Sequence, residues 1–125
     1  MPNHLQHLHL FCRELQPMAD FWVEVLDATF EQYRKFGDAD GAVLDMRSVT
    51  KIFLKQMDCV PADTTPRAGV DHPGVLVDDL DATLEKARNR ADSRVSTEPF
   101  MSGSLRCAFI TGPEGVLVEV MQQTA

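Results

Sequence analysis

The sequence predicts an α+β fold built from two tandem copies of a β-α-β-β-β unit. The first observation is that strand-like alternation and helix-like spacing of apolar residues follow one another in this order twice along the chain. The second is a constant distance between the halves, because His72 follows His7 at the same separation at which Leu80 follows Leu15. An internal period of this kind indicates two copies of one structural unit. Because neither copy is long enough to be stable alone, we expect both to pack into one domain over residues 1–125.

The first unit, over about residues 4–57, begins with a strand at residues 5–12 that places His7 and His9 on one face. After Pro17, which the first turn of a helix tolerates, apolar residues recur at three- and four-residue steps and predict an amphipathic helix. A turn at Gly37–Gly41 separates the strands that follow. The helical stripe comprises Met18, Phe21, Trp22, Val25 and Leu26, and the later strands cover residues 28–34, 42–47 and 51–56.

The second unit, over about residues 70–122, follows a linker at 58–69 that shows little periodicity. It begins with a strand at 70–77, and Asp78 and Asp79 supply an N-cap for the helix that comes next. The helical stripe comprises Leu80, Leu84, Ala87 and Ala91, the strands cover 95–97, 105–111 and 116–121, and a turn occupies 112–115.

Composition excludes several classes of function. The apolar fraction of 44% and the charged fraction of 25% are ordinary for a soluble globular protein. The formal net charge of -7 argues against a nucleic-acid partner, because phosphate binding depends on Lys and Arg. No apolar run is long enough to span a membrane, and the N-terminus does not resemble a signal peptide. Three cysteines without short spacing argue against a disulfide framework, so we expect a cytoplasmic protein in which Cys12 and Cys107 are core residues.

Three polar residues stand within otherwise apolar strands: His7, His72 and Glu119. Two imidazoles and a carboxylate are ligands that a divalent metal prefers, and this set is typical of non-haem Fe(II) sites. Each residue alone is weak evidence, since a lone strand histidine is usually structural. The repeat-related positions of the two histidines favour one shared metal site. Pro73 lacks a backbone donor and could displace His72 from its strand.

The ordered motifs resemble the vicinal oxygen chelate superfamily, which includes glyoxalase I, extradiol dioxygenases, fosfomycin-resistance enzymes and bleomycin-resistance proteins. In the first half the resemblance rests on residues 7–15, on Phe21-Trp22 and on Val25-Leu26. In the second half it rests on residues 72–80 and 112–119. It implies a curved mixed sheet around a metal cleft, with a ligand on the first and last strand of each half.

Carried over to this sequence, the resemblance implies ligands at His7, His72 and Glu119, and it places Leu54 at the fourth ligand position. Leucine cannot ligate a metal, so the alternative is that Gln56, two residues later on the same face, takes that role. Fe(II) or Mn(II) is favoured, and Zn(II) or Ni(II) is also compatible.

The resemblance further implies catalysis on a small substrate with two adjacent oxygens, by an extradiol-type dioxygenase or a glyoxalase-like lyase or isomerase. His9 is the candidate general acid or base because it shares a strand face with His7, although a surface role is an equal alternative. Tyr33, Asp45, Gln56 and Arg106 are further candidates for lining the cleft. The resemblance also implies a homodimer. The alternative function is a metal-free ligand-binding protein of the bleomycin-resistance type.

Overall fold

The computed structural model describes residues 5–58 and 70–124, and the chain divides into two compact units, residues 1–63 and 64–125. Within the described residues each unit contains one α-helix and one four-stranded mixed sheet, so the predicted α+β class with two β-α-β-β-β modules is confirmed. Apart from Asp58, the predicted linker lies outside the described residues. Among the described residues, neither α-helix has the length and apolar character needed to cross a membrane.

The elements of unit 1 are β1 His7–Cys12, α1 Leu15–Leu26, β2 Thr29–Phe36, β3 Ala39–Asp45 and β4 Lys51–Gln56. The sheet has the strand order β1-β4-β3-β2, with β1 parallel to β4 and antiparallel pairing elsewhere. Ile52 and Leu54 of β4 are buried, whereas Lys51 and Phe53 are partly exposed, so the sheet has one core face and one open face.

Helix α1 supplies much of the core of unit 1. All five apolar residues of the predicted stripe are buried, and the Trp22 side chain is 0% exposed. Its indole Nε1 has no hydrogen-bond partner among the described residues, so Trp22 stabilises the unit through apolar burial rather than polar contacts. The helix ends at Leu26 and is capped by Asp27, whose left-handed backbone (φ 58°) lets Ala28 N donate to Trp22 O at 3.0 Å.

The elements of unit 2 are β5 Gly74–Leu76, α2 Leu80–Arg88, β6 Arg94–Ser102, β7 Leu105–Thr111, a single 3-10 turn Pro113–Gly115 and β8 Leu117–Gln123. They repeat the topology of unit 1, with the strand order β5-β8-β7-β6 and with β5 parallel to β8. Asp79 is the N-cap of α2, and its side chain accepts a hydrogen bond from Ala82 N at 3.0 Å. Asp79 follows Glu14, the N-cap of α1, at the same separation as His72 follows His7, so the repeat holds at the helix starts.

The strand predicted over residues 70–77 is wrong in extent, because β5 covers only Gly74–Leu76. Pro73 has no N–H to donate, so regular pairing begins after it and His72 precedes the strand. The backbone still follows β8, since Glu119 N donates to Pro73 O at 3.0 Å.

Other element boundaries also differ from expectation. The turn predicted over Gly37–Gly41 is a tight hairpin, and β3 begins at Ala39 because Gly37 alone adopts the left-handed backbone (φ 64°) that reverses the chain. Helix α2 ends at Arg88, before Ala91, and β6 is longer than the predicted 95–97.

Gly41 is expected to be intolerant of a side chain. A Cβ there would lie 2.3 Å from Phe36 Cδ2 and 2.5 Å from the backbone oxygen of Leu54. Because the backbone oxygen cannot move without disturbing the sheet, Gly41→Ala should lower the free energy of unfolding by about 1–3 kcal/mol. Urea unfolding measures this loss. Gly74→Ala is the matched control, since its Cβ would meet only the flexible Met121 Cε at 2.9 Å. Equal losses in both variants would contradict the prediction.

Candidate functional site

His72 and Glu119 form a close pair in unit 2. His72 Nε2 lies 3.1 Å from Glu119 Oε1, and His72 Nδ1 donates to Asp71 Oδ2 at 2.6 Å. The imidazole also makes an edge contact with Phe109, with ring centroids 5.0 Å apart. Register explains the pairing, because Glu119 of β8 is opposite both Gly74 of β5 and Phe109 of β7. The imidazole is therefore held by contacts to a carboxylate on each side and to an aromatic ring.

The two carboxylates determine the protonation of His72. The pKa of His72 is raised, first by the hydrogen bond to Asp71 and then by that to Glu119, with burial acting in the opposite direction. Side chains of His72 and Glu119 are 24% and 22% exposed, so the pair is accessible to small ions while being partly desolvated. A cation that binds here must displace the proton that the pair favours.

Cys107 lies close to Glu119 on the same sheet. The residue is buried, as the sequence predicted, and so is Cys12. Burial raises the pKa of the Cys107 thiol, and the Glu119 carboxylate raises it further through its charge and a hydrogen bond. The Cys107 thiol therefore stays protonated and donates a hydrogen bond to the Glu119 carboxylate, and it does not act as a thiolate.

His7 and His9 lie on the open face of unit 1 among aromatic rings. His7 stacks on Phe53, with centroids 4.1 Å apart and ring planes 12° apart. His9 makes edge contacts with Phe36 at 4.5 Å and with Phe53 at 5.6 Å. The pKa of His9 is lowered, chiefly by desolvation and then by the charges of His7, Lys55 and Arg34. A His9 imidazole in this environment is neutral near pH 7 and able to accept a proton.

The assignment of Leu54 to the fourth ligand position is wrong by one residue. In unit 1 His9 is opposite Phe53, and in unit 2 Gly74, which is the repeat counterpart of His9, is opposite Glu119. Phe53 is therefore the counterpart of Glu119. Leu54 is 0% exposed and belongs to the core face, because a shift of one residue reverses the face of a strand.

Gln56 lies two residues after Leu54 and therefore alternates onto the same face of β4 as Leu54, opposite to the face of Phe53. Its amide Nε2 donates to Arg13 O at 2.9 Å, beyond the end of β1. The proposal that Gln56 replaces Leu54 as a ligand on one shared face therefore loses its geometric basis.

The sequence profile of the Glyoxalase/Bleomycin resistance protein/Dioxygenase superfamily matches residues 4–120. The chain belongs to this superfamily. Among proteins of curated function, none is significantly similar in sequence. Similar solved structures include the glyoxylase/bleomycin resistance protein/dioxygenase domain from Frankia sp. EAN1pec, with 18% identity, coverage of 98% of this chain and 93% of that chain, and a TM-score of 0.81.

Two other structures of the superfamily fold differ in their described roles. The fosfomycin resistance protein FosX from Listeria monocytogenes is 14% identical, with coverage of 99% and 96% of the two chains and a TM-score of 0.73. TnmS3, an antibiotic binding protein from Streptomyces sp. CB03234, is 18% identical, with coverage of 98% of each chain and a TM-score of 0.73. At these identities the likeness establishes the fold.

The donor chemistry of the His72–Glu119 pair fits the divalent metal that is common in the superfamily. An imidazole nitrogen and a carboxylate oxygen are both donors that divalent metals bind, and here they converge on each other at 3.1 Å. Within residues 5–58 and 70–124, no group of three or more His, Cys, Asp or Glu side chains is clustered tightly enough to hold a metal. Within unit 2, the described geometry thus contains two convergent donors, His72 Nε2 and Glu119 Oε1.

Of the four other residues predicted to line the cleft, two border a cavity and two are engaged in contacts with neighbouring residues. Tyr33 and Gln56 border a cavity of about 700 Å³ in unit 1, between the start of α1 and strands β2 and β3, and the Tyr33 hydroxyl donates to Gln16. Arg106 is paired with Asp81 at 3.0 Å, which leaves its charge partly neutralised. Asp45 accepts a hydrogen bond from Arg47 N at 3.3 Å, a contact within the bend that follows β3.

Proposed function

We propose that the chain is a divalent-metal-dependent enzyme of its superfamily, with His7, His72 and Glu119 as the metal ligands. The observation that carries the proposal is the His72–Glu119 pair, in which Nδ1 is already engaged by Asp71 and Nε2 faces a carboxylate oxygen at 3.1 Å. Metal-binding histidines usually have their second nitrogen held in this way.

His7 completes the proposed ligand set. Its Nδ1 donates a hydrogen bond to Gln6 Oε1 at 2.6 Å, so the lone pair that can bind a metal lies on Nε2. The proposal requires unit 1 to bring this nitrogen to the same ion, either within one chain or from the second copy of a homodimer. Fe(II) or Mn(II) suits two imidazoles and one carboxylate best, and Zn(II) or Ni(II) is compatible.

When bound, the metal would supply a Lewis acid and a template for a substrate with two adjacent oxygens. The residues of unit 1 would then contribute the surroundings of that substrate. The neutral His9 imidazole would act as the general base, and as the general acid once it has taken up a proton, and the Phe36 and Phe53 rings beside it favour an apolar or aromatic substrate body. The reaction class is a dioxygenase of the extradiol type or a glyoxalase-like lyase, acting in the cytoplasm.

A metal-free ligand-binding protein is the second candidate. The cavity of about 700 Å³ in unit 1 favours it, because none of the three proposed ligands lines that cavity and it is large enough for a small molecule. The antibiotic-binding role described for TnmS3 gives a precedent on the same fold.

Metal content separates these candidates. Protein purified without chelator, or titrated with Fe(II) or Mn(II) without oxygen, is expected to bind about one ion per chain, as measured by elemental analysis. Oxygen uptake by the Fe(II) form with catechol-type substrates would then indicate a dioxygenase, and turnover of a thiol adduct would indicate a lyase. Protein that binds no ion under any of these conditions would exclude the enzyme and favour the binding protein.

A further inference from the structure

The residue before each candidate histidine makes the same contact in both units. Gln6 Oε1 accepts from His7 Nδ1 at 2.6 Å, and Asp71 Oδ2 accepts from His72 Nδ1 at 2.6 Å. Asp71 and Gln6 are separated by the same offset that relates the two histidines. The contact is therefore a repeated feature of the two modules and not an isolated surface pair.

This contact determines which imidazole nitrogen is available. A neutral imidazole carries one N–H, and an acceptor at Nδ1 places the hydrogen there and leaves the lone pair on Nε2. In unit 2 both ring nitrogens face a carboxylate oxygen, at 2.6 Å from Nδ1 to Asp71 Oδ2 and at 3.1 Å from Nε2 to Glu119 Oε1, and the shorter contact favours the hydrogen on Nδ1. The Asp71 side chain is 88% exposed, so its influence depends on this short hydrogen bond and is not a consequence of burial.

We propose that Asp71 is a positioning residue, which fixes the tautomer and orientation of His72 so that Nε2 is presented to a metal together with Glu119. Gln6 has the same role for His7, with a neutral amide in place of the carboxylate. This inference rests on the proposed function, because it assigns the contact a purpose in metal binding. A carboxylate polarises the imidazole more than an amide does, so removal of Asp71 should cost more affinity than removal of Gln6.

The test uses the full chain with Co(II) as the probe ion. Asp71→Ala is expected to weaken Co(II) binding by about 10–100-fold in competition with a chelator. Asp71→Asn, which keeps an acceptor oxygen, should recover part of that loss, and Gln6→Ala should lose less than Asp71→Ala. Asp78→Ala is the control, because it removes another exposed carboxylate from the same unit and leaves the Asp71–His72 contact in place.

A second readout needs no metal. Nitrogen-15 NMR of metal-free protein, at a pH where His72 is neutral, should show the Nδ1–H tautomer in the wild type and a mixture in Asp71→Ala. Circular dichroism checks that each variant is folded. Wild-type protein that binds no Co(II) would overturn the proposed function and this inference together. Wild-type binding with unchanged affinity and tautomer in Asp71→Ala would overturn this inference alone.

Discussion

The Leu54→Glu variant is expected to lose the folded structure of unit 1. Leu54 is fully buried on the core face of β4, so a glutamate there must either place an unpaired charge in an apolar core or rearrange the sheet. Such substitutions cost about 4–5 kcal/mol or more. That is comparable with the whole stability of a small domain, which is roughly 5–15 kcal/mol. Thermal unfolding followed by circular dichroism measures the loss.

Phe53→Glu is the matched control, because it introduces the same side chain one residue away on the open face. Phe53 is partly exposed, and the ring of His7 stacks on it at 4.1 Å. We expect this variant to fold and to bind Co(II) about tenfold more tightly, since an additional carboxylate near a ligand raises the affinity of a cation site. Retention of the fold in Leu54→Glu, together with unfolding of Phe53→Glu, would show that the strand faces are assigned the wrong way round.

Removal of either unit 2 ligand is expected to abolish stoichiometric metal binding. His72→Ala removes one of the two convergent donors, and Glu119→Ala removes the other together with its hydrogen bond to the Cys107 thiol. Each variant should lose more than ~100-fold in affinity, because loss of a ligand exceeds the usual cost of losing a residue that supports one. Equilibrium dialysis measures the dissociation constants of Mn(II) and Co(II) for each variant and for the wild type.

Glu98→Ala is the control for these ligand variants. Glu98 pairs with Arg88 at 3.0 Å on the surface of the same unit, where an exposed ion pair contributes little. Its metal affinity should equal that of the wild type. Undiminished metal binding in both His72→Ala and Glu119→Ala would place the ion elsewhere in the chain.

The repeat made the topology predictable, but it did not make the last strand of unit 1 predictable. The offset between the halves is constant from the first strands to the helix starts, and it is longer by one position at the final strands, where Phe53 corresponds to Glu119. Residues 52–54 are Ile-Phe-Leu, an apolar run without alternation, so hydrophobicity alone could not distinguish the core face from the open face. Only the pairing with β1 determines it.

Parts of the candidate site depend on contacts that a sequence pattern does not encode. The pairing of Asp71 with His72 depends on the rotamers of adjacent side chains, and adjacent residues carry no periodic signal. The position of Cys107 beside Glu119 follows from the register of β7 on β8. Pro73 carried a signal that the predicted strand over 70–77 did not use, since a residue without a backbone N–H belongs at the start or the edge of a strand.

The burial of Trp22 gives the chain an optical reporter for one half of its structure. The chain contains one tryptophan and one tyrosine, and both Trp22 and Tyr33 belong to unit 1. An indole held in an apolar core emits at short wavelength and shifts to longer wavelength when water reaches it, so intrinsic fluorescence follows the opening of unit 1. Far-ultraviolet circular dichroism follows both units, and coincidence of the two transitions would establish that the repeated modules unfold as one cooperative body.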